Sequence, residues 1–234
     1  MPLAASGRAV RERRREAAPE TTVLVVDDQR TFAEAVGLAI DSQRGLRCVD
    51  AVGSAEQALE ALDTSCPDVV LLDLALPGMG GLDAIAGLKR RCPACRILVL
   101  TVDTSRRSIV AAAAAGADGF LPKDTPFAGI IRAVRATDSV LVTDDLLEQI
   151  VHLRPEPAAR EAGRDGEPLT EREHQVLRGL ARGEAVKEVA RQLGISVHTC
   201  RGHVRAIHRK LGVHSQLAAV VAAARRGLLA DPVE

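Results

Sequence analysis

The sequence predicts two folded units: an α/β domain on a doubly wound, five-stranded parallel sheet, followed by an all-α domain of four helices with a helix-turn-helix. Three observations predict this. Between Val23 and Ala136, short apolar runs alternate five times with helical patterns. From Leu169 strand signals cease and only helical periodicity remains. Between these stretches, RPEPAAREAGRDGEP (154–168) is rich in Pro, Gly and charge and has no apolar period, which marks a linker.

The strand-helix pairs run in order: VLVV (23–26) with FAEAVGLAI (32–40), RCVDAV (47–52) with AEQALEAL (55–62), and VVLL (69–72) with LDAIAGLKR (82–90). ILVL (97–100) with SIVAAAAA (108–115) and GFL (119–121) with FAGIIRAVRA (127–136) complete the set. Continuous apolar strands suit a parallel sheet covered by helices on both faces. Asp144 to Val151 reads as a short helix extending this domain. In the second unit, Thr170 is a helix cap with Glu173 at the capping-box position, and Gly183, Gly194 and Gly212 stand where helices stop. The expected division is a leader without periodic pattern (1–20), an α/β domain (21–138), a linker (139–167) and a helical domain (168–228).

Composition narrows the class further. Of 234 residues 47% are hydrophobic but only 1% aromatic, so Ala, Val and Leu must fill the cores. No apolar run of membrane-spanning length occurs, and no apolar segment follows the basic N-terminus, so a cytoplasmic chain without membrane contact is expected. Five scattered Cys (48, 66, 92, 95 and 200) make no disulfide framework. Cys92 and Cys95 form a lone CxxC, without the second pair that a zinc site needs, and read as thiols ending a helix rather than as a redox or metal site. The formal net charge of zero hides a division: residues 21–137 hold 12 Lys/Arg and 14 Asp/Glu, whereas residues 168–227 hold 11 Lys/Arg and 4 Asp/Glu. The basic second unit suits a polyanionic partner.

In an open parallel sheet, ligands bind beyond the carboxyl ends of the strands. Asp27 and Asp28 follow the first strand, Asp73 the third, Thr101 the fourth and Lys123 the fifth. Taken singly, each has an ordinary explanation as a cap, strand residue or surface charge. At successive strand ends they form one cluster: acids that hold Mg2+, a carboxylate placed for attack on a phosphoryl group, and a lysine and hydroxyl for its oxygens.

The motifs VVDDQ, LLDLALPGMGGLD, LVLT and GFLPKD resemble the receiver domain of response regulators, over about residues 21–138. The resemblance implies strand order 2-1-3-4-5, Asp73 as phospho-acceptor, Asp27, Asp28 and Asp73 as the magnesium-side acids, Thr101 as switch hydroxyl and Lys123 as phosphate-binding lysine. Phe120 stands at the switch-aromatic position and reads equally well as core. Pro77 and Gly78 fit the turn after the acceptor strand. Val102 is bulkier than the small residue often found there and narrows access to the phosphate. Pro122 precedes Lys123, where many receivers carry proline after the lysine.

In the helical unit, Cys200, Val204, Ile207 and Leu211 form a core stripe, and Arg201, Arg205 and Arg209 the opposite face. Ser196 caps this helix. Residues 168–228 resemble the LuxR-type output domain of the NarL/FixJ subfamily. The resemblance places Arg201, Gly202 and Arg205 at groove-reading positions on double-stranded DNA, with Thr199 and Lys187 as phosphate contacts and Arg209 on the same basic row. Gly202 departs from the pattern by offering no side chain. Leu217, Val220, Val221 and Ala224 share one face of the last helix, either core or a homodimer surface on DNA. The expected function is a regulator phosphorylated on Asp73 by a sensor histidine kinase. The alternatives are a phosphorylation-independent regulator with a docking receiver, and an Asp-nucleophile enzyme, against which Ala75 stands where a second acid belongs.

Overall fold

The computed structural model describes residues 20–137, 139, 141–153 and 167–229. The expected leader up to residue 19, and residues 154–166 of the expected linker, lie outside the described residues.

The α/β unit runs β1 (Thr21–Val26), α1 (Arg30–Asp41), β2 (Leu46–Val52), α2 (Ala55–Ala61), β3 (Val69–Leu72), α3 (Gly81–Arg91), β4 (Arg96–Thr101), α4 (Arg106–Ala115), β5 (Gly119–Pro122) and α5 (Phe127–Arg135). All five strands pair in parallel in the order β2-β1-β3-β4-β5, as expected. A two-residue strand that the sequence did not announce, β6 (Leu141–Val142), adds to the β5 edge, and α6 (Asp144–Val151) follows it. The helix α6 is the one expected over Asp144 to Val151, and β6 precedes it within residues 139–167.

Strand side chains alternate between faces, and the core divides accordingly. Val23, Val25, Leu71, Leu98 and Leu100 pack with Ala33, Val36 and Ile40 of α1 and Ile130 and Val134 of α5. Leu24, Val26, Val70, Leu72, Ile97 and Val99 pack with α2, α3 and α4. Each fully buried Leu or Val stabilises the sheet by about 1.5–3 kcal/mol; Phe120 is buried on one face, and Phe32 and Phe127 pack at the margin of the other.

The helical unit comprises α7 (Glu171–Ala181), α8 (Val186–Gln192), α9 (Val197–Leu211) and α10 (Gln216–Arg226). The capping box at α7 is complete: Glu173 N–H donates to Thr170 Oγ1 at 3.3 Å, and Thr170 N–H to Glu173 Oε2 at 2.8 Å. Gly194 adopts φ +63° in the turn between α8 and α9, a conformation that L side chains resist. Lys210 of α9 bonds Glu173 at 2.8 Å, with both side chains nearly buried, and so ties the end of α9 to the start of α7.

The second unit is not held off the first. The buried cluster on the α2–α4 face continues through α6 into the core of α7 to α10. The Ser215 hydroxyl, N-cap of α10, donates to the Ala117 carbonyl at 2.8 Å in a buried position.

Candidate functional site

Register decides what meets at the carboxyl edge of the sheet. Val26 pairs with Leu72, so Asp27 and Asp73 emerge side by side, and Asp73 N–H donates to Val26 O at 2.9 Å. Thr101 pairs with Pro122, so Lys123 leaves next to Thr101, and its N–H donates to Thr101 O at 2.9 Å. Gly81 opens α3 against the chain leaving β3: a Cβ there would stand 2.6 Å from Asp73 O and 2.5 Å from Leu74 Cα. Only glycine allows this approach. Gly78, with φ +72°, turns the chain between the two as expected.

Four of the five predicted residues, Asp27, Asp28, Asp73 and Lys123, form a single cluster, with Thr101 beside it on the neighbouring strand. Lys123 Nζ donates to Asp73 Oδ2 at 2.6 Å and pairs with Asp27 Oδ2 at 2.8 Å. Asp73 Oδ1 accepts the Ala75 amide at 3.2 Å, and Asp27 Oδ1 the Gln29 amide at 3.0 Å. Asp27, Asp73 and Thr101 are buried, whereas Asp28 faces solvent. Thr101 Oγ1 accepts the Asp103 amide at 3.3 Å. Lys123 also lies 5.2 Å from the centre of the Phe32 ring, a cation-π contact that fixes its stem.

The electrostatics follow from this packing. Desolvation raises the Asp27 carboxyl above its ordinary range, against the lowering by Lys123 and the Gln29 amide. Desolvation pulls the Lys123 ammonium down, but its bonds to the two carboxylates outweigh this and hold it above its ordinary value. One ammonium cannot balance three carboxylates. Oxygens of Asp27, Asp28 and Asp73 lie within 4.8 Å of one another, and when ionised they leave an excess of about −2 beside Lys123. A small oxygen-seeking dication fits that charge and donor set, with solvent reaching it past Asp28.

A cavity of about 660 Å³ adjoins Thr101 and Lys123 and extends to α6. Val102 stands at its rim, 71% exposed. Phe120 is fully buried on β5.

The predicted nucleic-acid residues lie at a second, separate surface. Lys187, Thr199, Arg201, Arg205 and Arg209 are exposed, and a Cβ at Gly202 would meet nothing within 4 Å. Cys200, Val204, Ile207 and Leu211 are buried as expected. The Thr199 amide donates to Ser196 Oγ at 3.0 Å, the predicted cap. Arg209 lies 3.9 Å from Glu167.

Sequence reasoning missed the seam between the two surfaces. Leu217, Val220, Val221 and Ala224 of α10 are all buried within the chain, because α10 packs on α4 and α6 as well as on its own domain. Its Ser215 contact and the half-buried His208 also belong there. A Ser before an apolar helix is a signal that could have found the cap, but nothing in the chain announced the carbonyl it reaches. Sequence reasoning also expected no disulfide, yet Cys92, at the α3 C-cap, is joined to Cys66. Among the described residues no helix is long and apolar enough to cross a membrane.

The chain matches the model of the response regulator receiver domain over residues 23–135 and that of bacterial regulatory proteins of the luxR family over 167–223. It is 34% identical to the nitrate/nitrite response regulator protein NarP of Escherichia coli, covering 87% of this chain and 95% of that protein. It is 33% identical to a nitrate/nitrite response regulator homolog of Haemophilus influenzae, covering 85% and 94%. The fold is also similar to the RcsB response regulator of Salmonella typhimurium, at 22% identity and TM-score 0.52, covering 87% and 97%.

Proposed function

The chain belongs to the two-component transcriptional response regulators of the NarL/FixJ subfamily, a receiver joined to a LuxR-type DNA-binding domain, and from that premise we propose that phosphorylation of Asp73 switches it. The observation that carries this reading is the Lys123 bridge to Asp27 and Asp73 at 2.8 and 2.6 Å. It sets a buried acceptor carboxylate beside a fixed cation at the edge of the sheet.

A sensor histidine kinase is the donor partner. Asp27, Asp28 and Asp73 would hold Mg2+, which supplies charge neutralisation for the incoming phosphoryl group. Ala75 N–H and Lys123 Nζ orient the Asp73 carboxylate. Once phosphate arrives, Lys123 has a new anion to bind and the Thr101 hydroxyl a new acceptor. Thr101 ends β4 and is followed within five residues by α4, on which α10 rests. Moving Thr101, with Phe120 following on β5, therefore bears directly on the α4–α10 seam. Release of α10 frees a face for homodimerisation, while Arg201, Arg205 and Arg209, with Lys187 and Thr199, meet double-stranded DNA. The protein works in the cytoplasm as a regulator without metabolite turnover.

The test is acetyl phosphate labelling with Mg2+, read by intact mass and by DNA affinity. Phosphate uptake on Asp73 with altered affinity is expected. Wild-type DNA binding and donor response in Asp73→Ala would overturn the switch in favour of a phosphorylation-independent receiver.

A further inference from the structure

Spacing alone sets Cys92 beside Cys95, but the fold brings Cys92 to Cys66, 26 residues earlier, with Cα atoms 5.9 Å apart and the sulfurs joined. That separation lies inside the range a disulfide spans without backbone movement. The two ends differ in access. Cys66 is exposed in the loop between α2 and β3, whereas Cys92 is 3% exposed at the end of α3. Cys95, 1% exposed, is a third thiol nearby, but burial pushes its pKa up to about 11. It therefore stays protonated and a poor nucleophile at neutral pH.

We propose that Cys66 and Cys92 are a reversible dithiol–disulfide couple, oxidised by hydrogen peroxide and reset by dithiol reductants. Disulfides in a reducing compartment are more often transient than structural, and one exposed sulfur backed by one sheltered sulfur suits that use. The Cys66 thiolate attacks peroxide, breaking the O–O bond to give a sulfenic acid and hydroxide. The Cys92 sulfur then attacks the Cys66 sulfur, the S–O bond breaks and its oxygen leaves as water. In sum, two thiols and one peroxide give one disulfide and two waters. Attack by a dithiol reverses the bond and leaves the reductant as its own disulfide.

The couple lies away from the acidic cluster, on a segment that already braces the seam. Arg91 donates to Leu59 O at 2.7 Å and ties the end of α3 to α2. Lys89 donates to Cys95 O at 2.8 Å and to Asp118 at 2.7 Å, and Asp118 follows Ala117, whose carbonyl accepts the Ser215 hydroxyl. Oxidation therefore adds a covalent link between the α2–β3 loop and the end of α3, beside the receiver's support for the DNA-binding domain. It needs no phosphate on Asp73.

The test uses the full chain, reduced, exposed to near-stoichiometric hydrogen peroxide, then denatured and alkylated. Peptide mass spectrometry without reductant should find Cys66 linked to Cys92, with a loss of about 2 Da for two hydrogens, and dithiothreitol should restore both thiols. Cys66→Ser, an exposed and structurally mild change, should abolish the loss, and Cys95→Ser should leave it intact. Linkage of Cys92 to Cys95, oxidation of Cys66 to sulfinic acid without a linked peptide, or a link that dithiothreitol does not reverse would overturn the proposal.

Discussion

Ser215 holds both sides of the domain seam at once: its hydroxyl accepts the Ala218 amide at 3.1 Å as a helix cap and donates to the Ala117 carbonyl of the receiver at 2.8 Å. Its side chain is buried, so neither bond has a ready substitute in water. Ser215→Ala should cost about 1–2 kcal/mol, from the lost cap and the orphaned carbonyl. Urea denaturation measures the cost. Small-angle scattering should show a more extended molecule, and a profile identical to wild type would mean that the apolar packing alone holds the seam.

Lys123 is the fixed counter-charge of the acidic cluster, with its side chain only 8% exposed. Lys123→Met should destabilise the receiver by about 3–5 kcal/mol, because it leaves Asp27 and Asp73 buried and unpaired. Added Mg2+ should restore part of that loss, since its charge replaces the ammonium. Thermal melts with and without the ion provide the check.

The seam should loosen in acid. Burial holds the His208 imidazole below its ordinary 6.5, helped by His214 and opposed by Asp118, and its buried Nε2 has no hydrogen-bond partner among the described residues. A base whose docked value is depressed stays neutral while the undocked state takes up a proton, so docking is unaffected above pH 6.5 and weakens as pH falls toward the lower docked value. Asp118 is itself paired with Lys89 at 2.7 Å, so it offers the imidazolium little relief. Domain separation followed by scattering between pH 7.5 and 5.5 should show the loosening, and His208→Gln should flatten it.

Arg201 and Arg205 project from the exposed face of α9. Replacing both with Ala should weaken DNA binding at least about tenfold, and should make the dependence of log K on log salt shallower by up to about 2. Fluorescence anisotropy at three salt concentrations measures both quantities. Unchanged binding would exclude α9 as the reading helix.

Gly202 lies mid-helix with open space where its Cβ would be. Gly202→Ala should stabilise the DNA-binding domain by about 0.5–1 kcal/mol, through the smaller entropy lost on forming the helix. A change in operator preference accompanying it would place this position against the bases.

Much of this protein is local and therefore legible in one dimension. Five alternations of apolar runs and helices dictate the parallel sheet, because strands buried on both faces must be apolar throughout. Asp27, Asp28, Asp73, Thr101 and Lys123 could be read as one cluster because parallel strands end on the same edge, whatever their spacing in the chain. The caps at Thr170 and Ser196 and the turn at Gly194 are equally local. Long-range pairings were decided only by folding. Cys92 meets Cys66 rather than its CxxC neighbour because α2 and α3 lie side by side on one face of the sheet. Two more pieces of tertiary structure had no announcement: β6 on the sheet edge, and the burial of α10 between its own domain and α4. Apolar periodicity reports that a face will be covered, but not by what. The covering partner is chosen by the shape of the whole chain.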